Sequence, residues 1–195
     1  MYVDSKSELE RAKAYFYDRR LQEAYGIFRR YFDRLPFKAE PEHALYIAFF
    51  TRILLELGKD FELKFYLATL EKLYRDEPLP ELGYQLAIVY GDSGMCQEAK
   101  RILEEVIAAS PNEFIRSRAL MRLAHCYDVL GQKQKVSEII QSIPDSEDEE
   151  FQRLLRIWHA KVAADALNFQ KADQILSSIL TEVTLQTNWY TYCSA

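Results

Sequence analysis

Glycine and proline are scarce in this chain, with six of each among 195 residues. Sandwiches and barrels need such residues at frequent turns, so the shortage predicts long helices joined by short connections. Cysteine is scarcer still. Cys96, Cys126 and Cys193 form no C-x-x-C pair, and an odd number cannot close a disulfide framework. Reduced thiols and a cytoplasmic location are the expectation. A basic excess is missing too: the formal net charge is -5 and the pI about 5.4. Binders of the phosphate backbone draw affinity from displaced counterions, so nucleic acid is not an expected partner. Arg19, Arg20, Arg29, Arg30 and Arg34 do cluster, but Asp18, Glu23 and Asp33 interleave with them, as on a solvated helix face. No run of about 18 apolar residues occurs, so membrane insertion is not expected. The stretch from Met1 to Glu8 lacks the apolar core of a signal peptide.

What remains is an ordinary folded composition, 49% hydrophobic and 28% charged, long enough to bury a sizeable core as one domain or one array. Within it a frame recurs. Gly58, Gly94 and Gly131 each end a segment of helical period, and each has a small side chain seven residues earlier: Thr51, Ala87 and Ala124. Five residues after each glycine comes an apolar residue, Leu63, Ala99 or Val136, and four later another, Leu67, Leu103 or Ile140. Without glycine the frame extends upstream through Ala12, Tyr15, Ala24, Phe28 and Pro36. Downstream it runs through Ala160, Ala172 and Leu176, with a turn at Leu167-Asn168. The small residues at 12, 51, 87, 124 and 160 are 39, 36, 37 and 36 apart. Periods of this length mark stacked supersecondary units. With no alternating segment of strand type, the fold is all-α.

The chain here resembles a tetratricopeptide repeat protein, whose unit is a helix–turn–helix of roughly 34 residues. The third unit carries the resemblance best, through Leu86-Ala87, Tyr90, Gly94, Ala99, Leu103 and Pro111. The fourth does so through Leu123-Ala124, Tyr127 and Gly131, with Pro144 stopping its second helix early. The second keeps little beyond Gly58 and apolar fillers. The resemblance implies a right-handed superhelical solenoid of about five antiparallel helix pairs. Its units fall at roughly 5–38, 41–77, 79–112, 114–144 and 147–184, with 185–195 as tail or cap, in a single domain over 1–195. Small residues at Ala87 and Ala99 are expected to let paired helices approach closely. Tyr90 is expected to fill the gap towards the next pair.

In that family the first helix of each pair lines a concave groove that takes peptides or partner segments. Helical spacing puts Lys13, Tyr17, Arg52, Tyr84, His125 and Lys161 on the corresponding face as candidate partner-binding residues. Tyrosine offers contact area at low entropic cost, and arginine a fork for carboxylates. Phe16, Ile88 and Met121 share the face and are expected to belong to the core between helices. The face has no asparagine, so the lysine–asparagine clamp known in the family is not expected.

Two acidic or aromatic stretches stand apart. In Asp145-Ser146-Glu147-Asp148-Glu149-Glu150, Asp145 or Ser146 can cap the next helix while carboxylates favour its dipole; an acidic docking loop or phosphorylation at Ser146 is the alternative. After Thr184, Trp189, Tyr192 and Cys193 resemble the opening of a further unit that is never completed. A short capping helix is the simpler reading of this tail, and cover by a second copy or a partner the alternative.

Catalytic and metal-binding patterns are absent. Gly91-Asp92-Ser93-Gly94 matches the tetrapeptide around a serine-protease nucleophile, but in this frame it is a helix–helix turn. His43, His125 and His159 are scattered over different helices. His125 and Cys126 are neighbours that point about 100° apart on a helix and cannot chelate together. No H-E-x-x-H, phosphate loop or G-x-S-x-G occurs, so no cofactor, metal or catalytic residue is expected. The expected function is a non-enzymatic scaffold or adaptor holding a protein or peptide in the groove. The alternative is an assembly module that self-associates as a homo-oligomer, or docks, through its C-terminal end. A third reading, an enzyme or small-ligand sensor, has no motif behind it.

Overall fold

A computed structural model describes residues 5–34, 43–110 and 112–182. Pro36, Pro111 and the tail with Trp189, Tyr192 and Cys193 lie outside the described residues. Ten helices and no strand occur among those described: α1 (Ser5–Tyr17), α2 (Leu21–Arg34), α3 (Ala44–Glu56), α4 (Asp60–Asp76), α5 (Pro80–Asp92), α6 (Cys96–Ala109), α7 (Glu113–Val129), α8 (Lys133–Ser142), α9 (Glu149–Asp165) and α10 (Phe169–Glu182). They belong to two compact units, Met1–Ile115 and Arg116–Ala195. In the first, α1 packs on α2, α3 on α4 and α5 on α6, while α3 also packs on α1 and α5. In the second, α9 packs on both α8 and α10. The short α8 stops at Ser142, as Pro144 dictates: proline has no amide hydrogen and pushes the preceding residue out of helical backbone.

The recurring frame is a packing register. Ala12, Thr51, Ala87, Ala124 and Ala160 are all essentially inaccessible, at 2% exposure or less. In the second helices Ala24, Ala99, Val136 and Ala172 are buried as well. Small side chains at these places let helix backbones approach closely. Thr51, the one polar member, is satisfied within its own helix, its hydroxyl donating to the Ile47 carbonyl at 2.6 Å. The third-unit expectation that Tyr90 fills the space towards the following pair is corrected. Its hydroxyl instead reaches back to α4 and donates to Glu71 at 2.5 Å. The second unit also departs from the frame: Leu63 and Leu67 are only half-buried, and α4 buries Tyr66, Leu70, Leu73 and Tyr74 instead.

Aromatic rings build much of the first unit's core. Phe50 is fully buried, its ring 5.7 Å from Phe28, 5.5 Å from Phe32 and 4.8 Å from Tyr66. Truncating a ring so enclosed costs about 3–5 kcal/mol. Gly83 on α5 has no room for a side chain: a Cβ there would lie 2.6 Å from the Tyr74 ring and 2.7 Å from Val106.

Each pair closes with the same turn. Arg19, Gly58 and Gly94 in the first unit, and Gly131 and Leu167 in the second, all have positive φ between 59° and 78°. Around Gly58 the Lys59 amide donates to Leu54 at 2.9 Å and the Gly58 amide to Leu55 at 3.1 Å. This is the left-handed helix stop that satisfies otherwise orphaned carbonyls. The Gly91–Gly94 tetrapeptide is part of it: the Met95 amide donates to Tyr90 and the Gly94 amide to Gly91.

Candidate functional site

The face formed by α1 and α3 in the first unit gathers three of the six expected residues around an aromatic cluster. Phe16, Tyr17 and Phe49 meet edge-on, with ring centroids 5.6 to 5.9 Å apart. Such T-shaped contacts match the electropositive ring edge to the electronegative face. Two cations rest on the cluster. The Lys13 ammonium lies 5.3 Å from the centre of Phe49 and 5.9 Å from that of Tyr46, and the Arg52 guanidinium 4.8 Å from that of Phe16. Phe16 is buried at 4% and Phe49 at 6%, whereas Tyr17 is 66% exposed. Tyr17 thus stands at the surface against two buried rings, in a cluster that also carries Lys13 and Arg52.

Glu10 completes this arrangement. It accepts from the Tyr46 hydroxyl at 2.8 Å and pairs with Lys13 at 3.1 Å. Those two partners, Tyr46 before Lys13, hold its carboxyl below the ordinary glutamate range. Lower on the same face, Arg19 pairs with Glu56 at 2.8 Å. Tyr46 and Phe49 are not among the candidates taken from the sequence, although they lie six and three residues before Arg52 on the same helix. Steps of three residues from Arg52 towards the start of α3 reach Phe49 and then Tyr46, each step turning about 60° around the helix. Tyr84 is half-buried on α5, outside this cluster, and Ile88 beside it is core, as expected for Ile88.

In the second unit the expected residues keep different company. The Lys161 ammonium is shared between Asp128 at 2.6 Å and Asp165 at 2.9 Å. Burial pulls its pKa down, but the hydrogen bonds to the two carboxylates outweigh that and hold it above the usual lysine range. Asp165 also accepts from Lys133 at 2.7 Å, and Lys133 and Lys161 together keep it well ionised, below the usual aspartate range. A cation so neutralised ties α9 to α7 and is a weak hold on a partner's carboxylate. His125 packs its ring edge-on to Trp158, 6.3 Å between centroids, and Met121 is core as expected.

At the start of α9 the structure corrects the capping residue. Asp148, not Asp145 or Ser146, accepts the Phe151 amide, at 3.0 Å, and pairs with Arg118 at 2.7 Å. Ser146 acts one step back, its hydroxyl oxygen accepting from the Asp148 amide at 3.2 Å. Several carboxylates within six residues make the cap ambiguous from sequence; α9 begins at Glu149, which puts Asp148 at the capping position.

Among the described residues no group of three or more histidine, cysteine, aspartate or glutamate side chains could hold a metal ion. No described helix is long and apolar enough to cross a membrane. Cys96 and Cys126 are buried free thiols.

Residues 92–157 match the family model for the tetratricopeptide repeat, about a third of the chain. No curated protein matches the sequence. Among solved structures, the chain is similar to a thermophilic TPR protein of Thermus thermophilus, with a TM-score of 0.72, 16% identity and coverage of 97% of each chain. It is similar as well to the nearly identical TPR-like repeats of a kinesin light chain candidate from Podosopora anserina, with a TM-score of 0.67, 19% identity, and coverage of 93% and 96%. MamA residues 41-end from Desulfovibrio magneticus RS-1 give a TM-score of 0.62 at 18% identity, covering 93% and 96%. At such identities the likeness carries the fold, an all-α helical-repeat solenoid.

Proposed function

We propose, from the premise that the chain is a tetratricopeptide-like helical repeat protein, that it is a non-enzymatic scaffold binding a protein or peptide segment on the α1–α3 face. The observation that carries this reading is Tyr17, a large ring 66% exposed yet braced by Phe16 and Phe49. An aromatic held in place before binding loses little entropy on contact, and aromatics and arginine dominate interface energetics. Arg52 is positioned beside it by stacking on Phe16. A partner segment offering an apolar side chain to Tyr17 and a carboxylate to Arg52 fits that chemistry. His125, Lys161 and Tyr84 have a weaker claim, since none belongs to this aromatic cluster and Lys161 is already paired with two carboxylates.

The test is a photo-crosslinking amino acid in place of Tyr17 in the full chain, exposed to native lysate, beside the same chain carrying Arg52→Gln. A discrete crosslinked protein that is lost with Arg52→Gln, while helicity by circular dichroism is unchanged, supports the reading. Crosslinks that are absent, or indifferent to Arg52, sink it.

A further inference from the structure

A second surface lies on the outward side of α4, away from the α1–α3 face. Phe61 is 89% exposed and Phe65 47% exposed, one helical turn apart. Single exposed apolar residues are ordinary on protein surfaces. This pair is set apart by the chain's own frame. The position ten residues after each small residue is Gln22, Gln97, Gln134 and Gln170 in four units and Phe61 in the second. The position four later is Gly26, Arg101, Glu138 and Gln174, against Phe65. Four units thus solvate a place that one makes aromatic on two successive turns. Phe65 also meets the Tyr66 ring edge-on at 5.2 Å, and α4 buries its opposite side through Tyr66, Leu70, Leu73 and Tyr74.

Within one narrow stripe of this side the charge has a single sign. At 3.6 residues per turn, Phe61, Lys64, Phe65, Ala68, Lys72 and Arg75 fall on one stripe about 100° wide. All six are exposed. Lys64, Lys72 and Arg75 form no ion pair with any described residue, unlike Arg29 on α2 and Arg19 in the turn before it, which hold Glu62 and Glu56. Carboxylates border the stripe without entering it: Glu71, which accepts from the Tyr90 hydroxyl, and Asp76 fall about 20° beyond its two edges, and Asp60 about 40° beyond. In a chain of net charge -5, three cations with no ion-pair partner among the described residues, flanking two exposed rings, form a local inversion of sign.

We propose that this stripe is a docking surface for an acidic amphipathic peptide segment of another protein, its apolar side chains seated on Phe61 and Phe65 and its carboxylates facing Lys64, Lys72 and Arg75. The aromatic pair supplies buried area and the cations supply sign selectivity and faster encounter. Rings one turn apart suit partner side chains spaced three or four residues apart on a helix. The surface works independently of the α1–α3 face.

The experiment uses the full chain and a displayed library of random peptides of roughly 16 residues, enough for about four helical turns. Selection against the wild-type chain is paired with counter-selection against Phe61→Gln/Phe65→Gln, which installs side chains found at these positions in other units. Enriched peptides should be acidic with apolar residues three or four apart. Their affinity, by fluorescence anisotropy, should fall at least about tenfold in Phe61→Gln/Phe65→Gln and in Lys64→Glu/Lys72→Glu. It should weaken with added salt and be unchanged in Tyr17→Ala/Arg52→Gln. Neutral or basic enriched peptides, or binding indifferent to both α4 variants, would overturn the proposal. So would self-association of the wild-type chain abolished by Phe61→Gln/Phe65→Gln, which makes the occupant a second copy. Binding to phosphatidylserine vesicles lost in both α4 variants, without peptide enrichment, would overturn it in favour of a membrane surface.

Discussion

Leu167 adopts the same left-handed backbone as Gly131, with φ of 59° against 72°, at equivalent turns of two successive pairs. Their amides make equivalent bonds as well: Leu167 to Ala164 at 2.9 Å and Gly131 to Asp128 at 2.9 Å. In a leucine this backbone crowds the Cβ against the carbonyl, at a cost of about 1–2 kcal/mol that glycine avoids. Its side chain is 76% exposed, so little packing is lost by removing it. Leu167→Gly is expected to stabilise the second unit by about 1 kcal/mol, read as a higher urea midpoint at unchanged slope. A lower midpoint would mean the side chain makes contacts that outweigh the backbone strain. Arg19→Gly should gain less, because Arg19 also holds Glu56 across to α3.

Gly83 is required for the opposite reason, space rather than backbone. Its missing side chain leaves room for the Tyr74 ring and Val106, which a methyl group would meet at 2.6 and 2.7 Å. Gly83→Ala gains helix propensity but overpacks a contact of three helices, and overpacking costs about 1–3 kcal/mol. A net loss of stability in chemical denaturation is therefore expected. In Gly83→Ala/Val106→Ala, which frees one of the two clashes, part of that loss should return as a non-additive coupling between the two substitutions.

Asp148 links stability to acid. The Phe151 amide, followed by Arg118, favours its ionised form and outweighs the modest effect of burial, so its pKa lies below the ordinary aspartate range. A carboxyl whose folded pKa is depressed contributes stability above its unfolded pKa. That contribution is lost as pH falls through the folded value. Asp148→Ala should cost about 1 kcal/mol at neutral pH, the usual worth of a lost helix cap. The gap between wild type and variant should close as pH drops below about 4. A gap that stays constant to low pH would show the carboxylate's charge to be irrelevant, leaving only its shape and hydrogen-bonding oxygen.

Much of the fold was legible in the sequence because one requirement repeats. Two helices that cross closely need small residues at the crossing, and a helix that stops within three residues needs left-handed backbone. Ala12, Thr51, Ala87, Ala124 and Ala160 therefore carry the register in the bare sequence, and Gly58, Gly94 and Gly131 carry the turns. Arg19 stayed hidden as a turn residue because nothing in an arginine announces positive φ; only its fixed distance from Ala12 does.

The site was legible in part. Periodicity put Lys13, Tyr17 and Arg52 on one side of their helices, since a residue's angular position depends only on its distance along the chain. What each side chain meets there is not a property of one helix. Lys161 and Arg52 occupy equivalent frame positions, yet one is held by Asp128 and Asp165 while the other lies over Phe16. The same holds for Asp148, which meets Arg118 at 2.7 Å, whereas Asp145 accepts from Gln152. The sequence by itself determined the helix pairs, their register and which way each residue faces, because these follow from local spacing and side-chain size. Tertiary structure alone decided which charges are neutralised inside the fold and which rings stay at the surface. Both depend on neighbours about 30 residues away along the chain.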